Sequence, residues 1–360
     1  MSKFYLLLGF IGLSMISYGQ VSLVEGRAYI AKRTLSPMIM DGKGDDDSWQ
    51  AADWTSSFVD IEGNKNPKPY HDTKVKMLWD DQYFYFYAEL IEPHIWAKLT
   101  QRDAVIFRDN DFEIFIDPDG DTHNYFEYEV NAFNTIWDLL LTKPYRDNGH
   151  AVNAFDAKGL ISKVHIEGTI NNPADEDEYW SVEVAIPWDV FHEITKTKTP
   201  PQVNDTWRVN FSRVQWETNI IGDSYIKKKN DSGKDLPERN WVWSPQRAVA
   251  MHEPEFWGIV TFSEFAADQR PNFISDYGSE EVRQLLYHVH RAQKKYFKKE
   301  NEYIDTKAAL LNQKLFSVGK PLNWSLDVSD FGYDAYMQHP FNAGIWWHIN
   351  ETGKLTQLNK

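Results

Sequence analysis

Between Ser36 and Phe262 apolar and polar residues alternate with a period of two over many short stretches, the mark of strands with one buried face. In Thr73–Asp80, Val75, Met77 and Trp79 point one way, Lys74 and Lys76 the other. The turn residues Asp80–Gln82 lead into a second apolar run, "QYFYFYAELIEP", as in a hairpin. "DFEIFID" places Phe112, Ile114 and Ile116 on one face and Glu113, Phe115 and Asp117 on the other. "YFEYEVNAF" places Phe126, Tyr128, Val130 and Ala132 opposite Tyr125, Glu127, Glu129, Asn131 and Phe133. "YWSVEVAIP", "WRVNFSRVQW" and "FWGIVTF" continue the series, and "DPDGD", "NNPADEDE" and "KKKNDSGKDLPE" supply turns. "IPWDVFHEI" is the one helical-looking insertion. The pattern predicts a mainly β fold, an antiparallel β-sandwich of jelly-roll or immunoglobulin-like type.

After Glu264 the pattern changes. "AADQRPNF" reads as a linker, and Ser279 as the N-cap of a long amphipathic helix with Glu280 and Glu281 in its first turn. Val282, Leu285, Leu286, Val289, Gln293, Tyr296 and Phe297 recur at helical spacing. Short strands such as "GIWWHIN" follow, so a small α+β segment completes the chain. At the other end, Lys3 precedes an apolar run, Phe4–Ile16, with small residues at Ser17 and Gly19. That is the plan of a signal peptide cleaved before Gln20, and the run is too short to span a bilayer. The expected layout is a signal peptide over 1–19, a binding sandwich over 20–265 and the helix with strands over 266–360. The expected location is secreted, periplasmic or cell-surface.

The net charge of -15 argues against nucleic acid and anionic membranes as partners. With no cysteine there is neither a disulfide nor a lipidated thiol. Asp117, Asp119 and Asp121 alternate like hard oxygen ligands, so "DPDGD" is either a calcium loop or an acidic hairpin turn. It is not an EF-hand, because Thr122 stands where Gly belongs and Tyr128 where Glu belongs. Glu127 and Glu129, with Glu113 on the neighbouring strand, have the ~7 Å spacing of a glycosidase acid and base pair. Alternation alone produces that spacing, and nothing in the sequence marks a raised pKa, so a ligand-binding or solvated polar face is the simpler reading.

Fifteen Trp, 18 Tyr and 21 Phe suit a carbohydrate ligand, whose apolar face stacks on flat rings. Trp79, Trp207 and Trp257 lie on apolar strand faces and read as core; Trp137, Trp216, Trp241 and Trp243 lie at strand ends or beside loops and read as ligand candidates. His288 and His290 do not share a helix face, which argues against a zinc pair. No phosphate loop, serine-nucleophile elbow or metallopeptidase motif is present.

Seven segments in order, "MDGKGDDDSWQAADW", "TKVKMLWDDQYFYFYAELIEPHIWA", "DNDFEIFIDPDGDTHNYFEYEVNAFNTIWDLLL", "YWSVEVAIPWDVF", "WRVNFSRVQWE", "NWVWSPQ" and "MHEPEFWGIVTFSE", resemble the family 9 carbohydrate-binding modules over Ser36–Glu264. The resemblance implies a β-sandwich related to DOMON-type domains. It also implies non-catalytic binding of cellulose or xylan chain ends and soluble sugars between two Trp rings, with structural calcium. The family's binding Glu falls on Glu113. One stacking Trp falls near Phe107, and the second near Met251. A family Arg falls on Glu129, an Asn on Asn131 and a Gln near Ser212. The Trp sandwich is therefore not kept, and a site using Trp137, Trp216, Trp243, Arg213 and Asn210 stays open.

The expected protein binds an oligo- or polysaccharide on the polar face of Glu113, Glu129, Asn131 and Asn210, beside polysaccharide-degrading enzymes. Two alternatives remain. One is a glycoside hydrolase using Glu127 or Glu129. The other is a cell-surface interaction protein that docks through its C-terminal helix.

Overall fold

In this computed structural model the described residues are 27–270, 277–310, 316–317 and 320–359; the segment 1–19, read as a signal peptide, lies outside them. The chain divides into two compact units. The larger comprises Glu25–Tyr277 with Thr352–Gln357, and the smaller Gly278–Glu351.

The larger unit is built from β1 (Ala28–Arg33), β2 (Val59–Asp60), β3 (Thr73–Trp79), β4 (Tyr83–Ile91), β5 (Asp111–Asp117), β6 (Tyr125–Asn131), β7 (Ile136–Leu141), β8 (Ala151–Val152), β9 (Ile161–Glu167), β10 (Tyr179–Pro187), β11 (Thr206–Gln215), β12 (Thr218–Ile221), β13 (Ser224–Lys227), β14 (Arg239–Val242) and β15 (Gly258–Ala266). Thirteen of these form one sheet, eleven along the path β8-β7-β6-β5-β11-β15-β1-β3-β4-β10-β9, with β14 on β11 and β2 on β14 off it. The path folds back on itself as a sandwich. Phe86 of β4 lies 5.8 Å from Phe211 of β11, and Phe84 lies 6.2 Å from Trp207, although four pairings separate β4 from β11. The sheet is mixed, because β1 runs parallel to both of its neighbours, β15 and β3.

The alternation seen in the sequence is what fills the core. Val75, Met77 and Trp79 meet Phe112, Ile114, Ile116, Phe126, Tyr128 and Val130 in one apolar cluster. Each such side chain, fully buried, contributes about 1.5–3 kcal/mol. Trp79 and Trp207 are core residues as expected. So are Trp241 and Trp243, which are 2% and 1% exposed and cannot stack on a ligand. The Trp243 ring fixes Gly258: a Cβ there would stand 2.2 Å from the indole. Of the two expectations for the second face of β5 and β6, a ligand-binding and a solvated polar face, burial removes the solvated one. Every residue of both strands is buried. On that face Phe115 and Tyr125, with Leu139 and Leu141 of β7, pack with Ile61, Val242, Met251 and Trp257 in a second cluster that partly roofs it.

In the smaller unit the long helix spans Tyr277–Glu300, so Ser279 sits inside its first turn rather than capping it. Val282, Leu285, Leu286, Val289 and Gln293 are buried as the spacing predicts, while Tyr296 is exposed. His290 is buried too and bonds the Tyr333 hydroxyl at 2.6 Å. Trp324–Ser329, Gly332–Gln338 and Ile345–Asn350 form an antiparallel sheet. No helix among the described residues is long and apolar enough to cross a membrane.

Candidate functional site

Register determines the site. In β5 and β6 Glu113 stands opposite Glu129, Phe115 opposite Glu127, and Asp111 opposite Asn131. On one side β11 sets Ser212 against Glu113; on the other β7 sets Trp137 against Glu129. One rung across four strands therefore reads Ser212, Glu113, Glu129, Trp137. Directly opposed side chains on one face are about 4.5–5.5 Å apart at Cβ, so this rung is continuous. Above it the roofing cluster leaves a cavity of about 370 Å³. Glu113, Glu127 and Glu129 form its floor, and Phe107, Trp137, Tyr145 and Met251 are among its walls. Phe107 and Tyr145 are 37% and 50% exposed, which makes them the mouth of a cleft open to solvent.

The electrostatics are one-sided. Among the described residues the cavity lining has no lysine and no arginine. Burial pushes the Glu113 carboxyl up to about 7, against the Ser212 hydroxyl, which favours the charged form. Burial, and then repulsion from Glu113, raises Glu127 and Glu129 well above the carboxylate range. Asp111, beneath the floor, is raised by the same two causes. His252 in the wall is held neutral, its pKa lowered to about 4 by burial and by Arg146, and it bonds the Tyr125 hydroxyl at 2.9 Å. Arg146 itself pairs with Asp147, Glu253 and Glu255. Glu129 Oε2 accepts the Phe107 amide at 3.0 Å, tying floor to mouth. Glu127 Oε2, Asp111 Oδ2 and Trp137 Nε1 are buried with no hydrogen-bond partner among the described residues. Such groups are costly unless a ligand satisfies them.

The structure brings together Glu113, Glu129, Phe107 and Trp137 of the expected residues, with Ser212 beside Glu113. It does not bring in the others. Asn131 is fully engaged: its amide donates to Leu99 O and Asp109 Oδ2, and its oxygen accepts Phe133 and Thr135 amides, holding the β6–β7 turn. Asn210 exchanges two hydrogen bonds, of 2.9 and 2.8 Å, with the Ser244 backbone. Arg213 points to the opposite face, buried against Glu92 at 2.9 Å. Trp216 lies near the mouth, donating to Phe107 O at 2.9 Å, and Lys227 covers its ring at 3.2 Å. Trp243 is core. Asp111 and Tyr145 were missed. The phase of Glu113 puts Asp111 on the same face, so its signal was present. Tyr145 stands in a short 3₁₀ turn with no periodicity to place it.

The hairpin trio behaves as a turn cap. Asp117 accepts the Gly120 and Thr122 amides at 2.9 and 2.8 Å, and Asp121 accepts the His123 amide at 2.8 Å. Lys354, in the same unit, pairs with Asp121 at 2.7 Å. The trio thus caps the turn and pairs with one lysine, while a carboxylate oxygen from each of the three lies within 4.8 Å of the others and Asp119 Oδ1 is buried with no hydrogen-bond partner among the described residues, an arrangement that a cation can also join.

The family model described as "Carbohydrate family 9 binding domain-like" matches residues 39–264. A 100-residue stretch is 32% identical to endo-1,4-beta-xylanase C of Paenibacillus barcinonensis; the match spans 26% of this chain and only 8% of that protein. Among solved structures, a family 9 carbohydrate-binding module from Caldicellulosiruptor kristjanssonii in complex with cellotriose is 15% identical with a TM-score of 0.42, covering 69% of this chain and all of that one. The module from the same organism in complex with glucose is 16% identical with a TM-score of 0.40, covering 68% of this chain and 99% of that one.

Proposed function

The chain belongs to the carbohydrate family 9 binding domain-like family, and from that premise we propose that it is an exported, non-catalytic protein that holds an oligo- or polysaccharide in the cleft over β5, β6, β7 and β11. One observation carries the reading: acidic acceptors and aromatic walls meet in a single cavity of about 370 Å³, within the ~300–1,000 Å³ range of small-molecule sites. Glu113, Glu127 and Glu129 would accept sugar hydroxyl hydrogens, in charge-assisted bonds where they are ionised. Trp137, Phe107 and Tyr145 would pack on the C–H face of the ring. The signal-like N-terminus supports export, and polysaccharide-degrading enzymes are the expected neighbours in action. Titration with cello- and xylo-oligosaccharides should give a saturable change in tryptophan fluorescence. Trp137→Ala should weaken binding at least tenfold; equal affinity in that variant would remove the cleft from the account.

A second reading gains one observation. Glu113 and Glu129 are register partners with raised pKa values, as a general acid requires. Glycosidases, however, set two carboxyls apart, one held protonated and one held ionised. Here burial and mutual repulsion move all the floor carboxyls the same way. Binding is therefore the stronger reading, and product release abolished by Glu129→Gln would reverse the order.

A further inference from the structure

We propose that the floor of the cleft is a divalent-cation site with Asp111, Glu113 and Glu129 as ligands, and that Ca²⁺ has the matching chemistry. Each of the three residues offers a carboxylate oxygen, and these oxygens all lie within 4.8 Å of one another. Oxygens bound to one calcium at 2.3–2.6 Å are up to about 5 Å apart, so one ion can reach all three. A second observation points the same way from outside the trio. Glu127 is 5% exposed, lines the same cavity, and keeps Oε2 without a hydrogen-bond partner among the described residues.

The contrast with the hairpin trio is chemical. There one cation, Lys354, pairs with Asp121. Over the floor, no lysine or arginine stands in the lining. The donors are all hard oxygens, which suit calcium or magnesium rather than zinc. Ligands fixed on two adjacent strands form an irregular set that calcium tolerates and magnesium, with its octahedral demand, does not. A metal ion also fits better than the ammonium of an amino sugar. Asp111 is fully buried and is not part of the cavity wall, so an ion can settle between it and the two glutamates where a tethered ammonium cannot. The remaining coordination positions would face the cavity, where two adjacent sugar hydroxyls complete the shell. Only this last step rests on the carbohydrate reading.

The test uses the full chain, stripped with EDTA and dialysed. Tb³⁺ emission excited through tryptophan should appear on titration and be displaced by Ca²⁺, and calorimetry should show Ca²⁺ binding directly. Glu129→Gln and Glu113→Gln should each weaken Ca²⁺ binding at least tenfold, while Asp119→Asn in the hairpin should leave it unchanged. Ca²⁺ should raise the melting temperature of the parent but not of Glu129→Gln, whose own melting in EDTA should be no lower than the parent's. No Ca²⁺ binding by the parent, or equal binding by both glutamine variants, overturns the proposal. Oligosaccharide binding that persists unchanged in EDTA overturns the sugar-bridging step and leaves the carbohydrate reading standing. Ca²⁺ binding without any sugar binding supports the ion site and counts against that reading.

Discussion

Glu113 and Glu129 show how much one register pair can decide. They are side by side in β5 and β6, nearly fully buried, and both raised in pKa by burial. A carboxyl whose folded pKa exceeds its unfolded value holds its proton more tightly when folded. For Glu113 the window runs from 4.5 to about 7. Unfolding releases that proton as pH rises through this window, so the native state loses stability there and recovers it on acidification. In a chelator, melting temperature should therefore rise as pH falls from 8 to 5, and Glu129→Gln should melt about 2–4 °C above the parent at pH 8, the shift that ~1 kcal/mol gives in a unit of this size. A melting temperature that falls across that range would contradict the one-sided charge of the floor. These residues were legible from period two alone. What alternation could not supply was their surroundings: Asn131 and Asn210 lie on the right face but are consumed by backbone hydrogen bonds. Arg213 was misplaced against its own pattern, since Phe211 two residues before it is a core residue.

Among the elements, the long antiparallel strands β3, β4, β5, β6, β10 and β11 were readable because each has one apolar stripe. The central strand β1 was not, because it runs parallel between β15 and β3, and its short sequence "AYIAKR" has no clean alternation. The two-residue strands β2 and β8 are too short to carry a period at all. The roof over β5 and β6 was also invisible, since it comes from loop residues such as Ile61 and Met251 that no local pattern joins. One contact between elements holds that region in place. Gly258 opens β15 where the Trp243 ring lies against it. Gly258→Ala should destabilise the protein by about 1–3 kcal/mol through overpacking, read as a lower denaturation midpoint at unchanged m-value. An unshifted midpoint would mean the Trp243 ring moves aside freely.

At the scale of the molecule, an acidic chain with many aromatic residues could have meant several things, and the family supplies the sandwich that sorts them. Most rings are core: Trp79, Trp207, Trp241 and Trp243 form part of the apolar cluster. A few escape it, and Phe107, Trp137 and Tyr145 gather at a cleft where glutamates form the floor. Acidity alone first suggested catalysis or an EF-hand. Topology instead assigns the acidic stretch Asp109–Ala132 two tasks, a hairpin turn in which Lys354 pairs with Asp121 and a cleft floor with no protein cation in its lining. The measurement that bears most directly on this account is calorimetric titration of the parent and Glu113→Gln with a broad panel of plant, algal and host oligosaccharides, each run with and without Ca²⁺. The account predicts saturable binding of at least one glycan by the parent, weakened at least tenfold in Glu113→Gln at an undiminished melting temperature. Folded parent protein that binds nothing across the panel, or a Glu113→Gln variant that binds as the parent does, would contradict it.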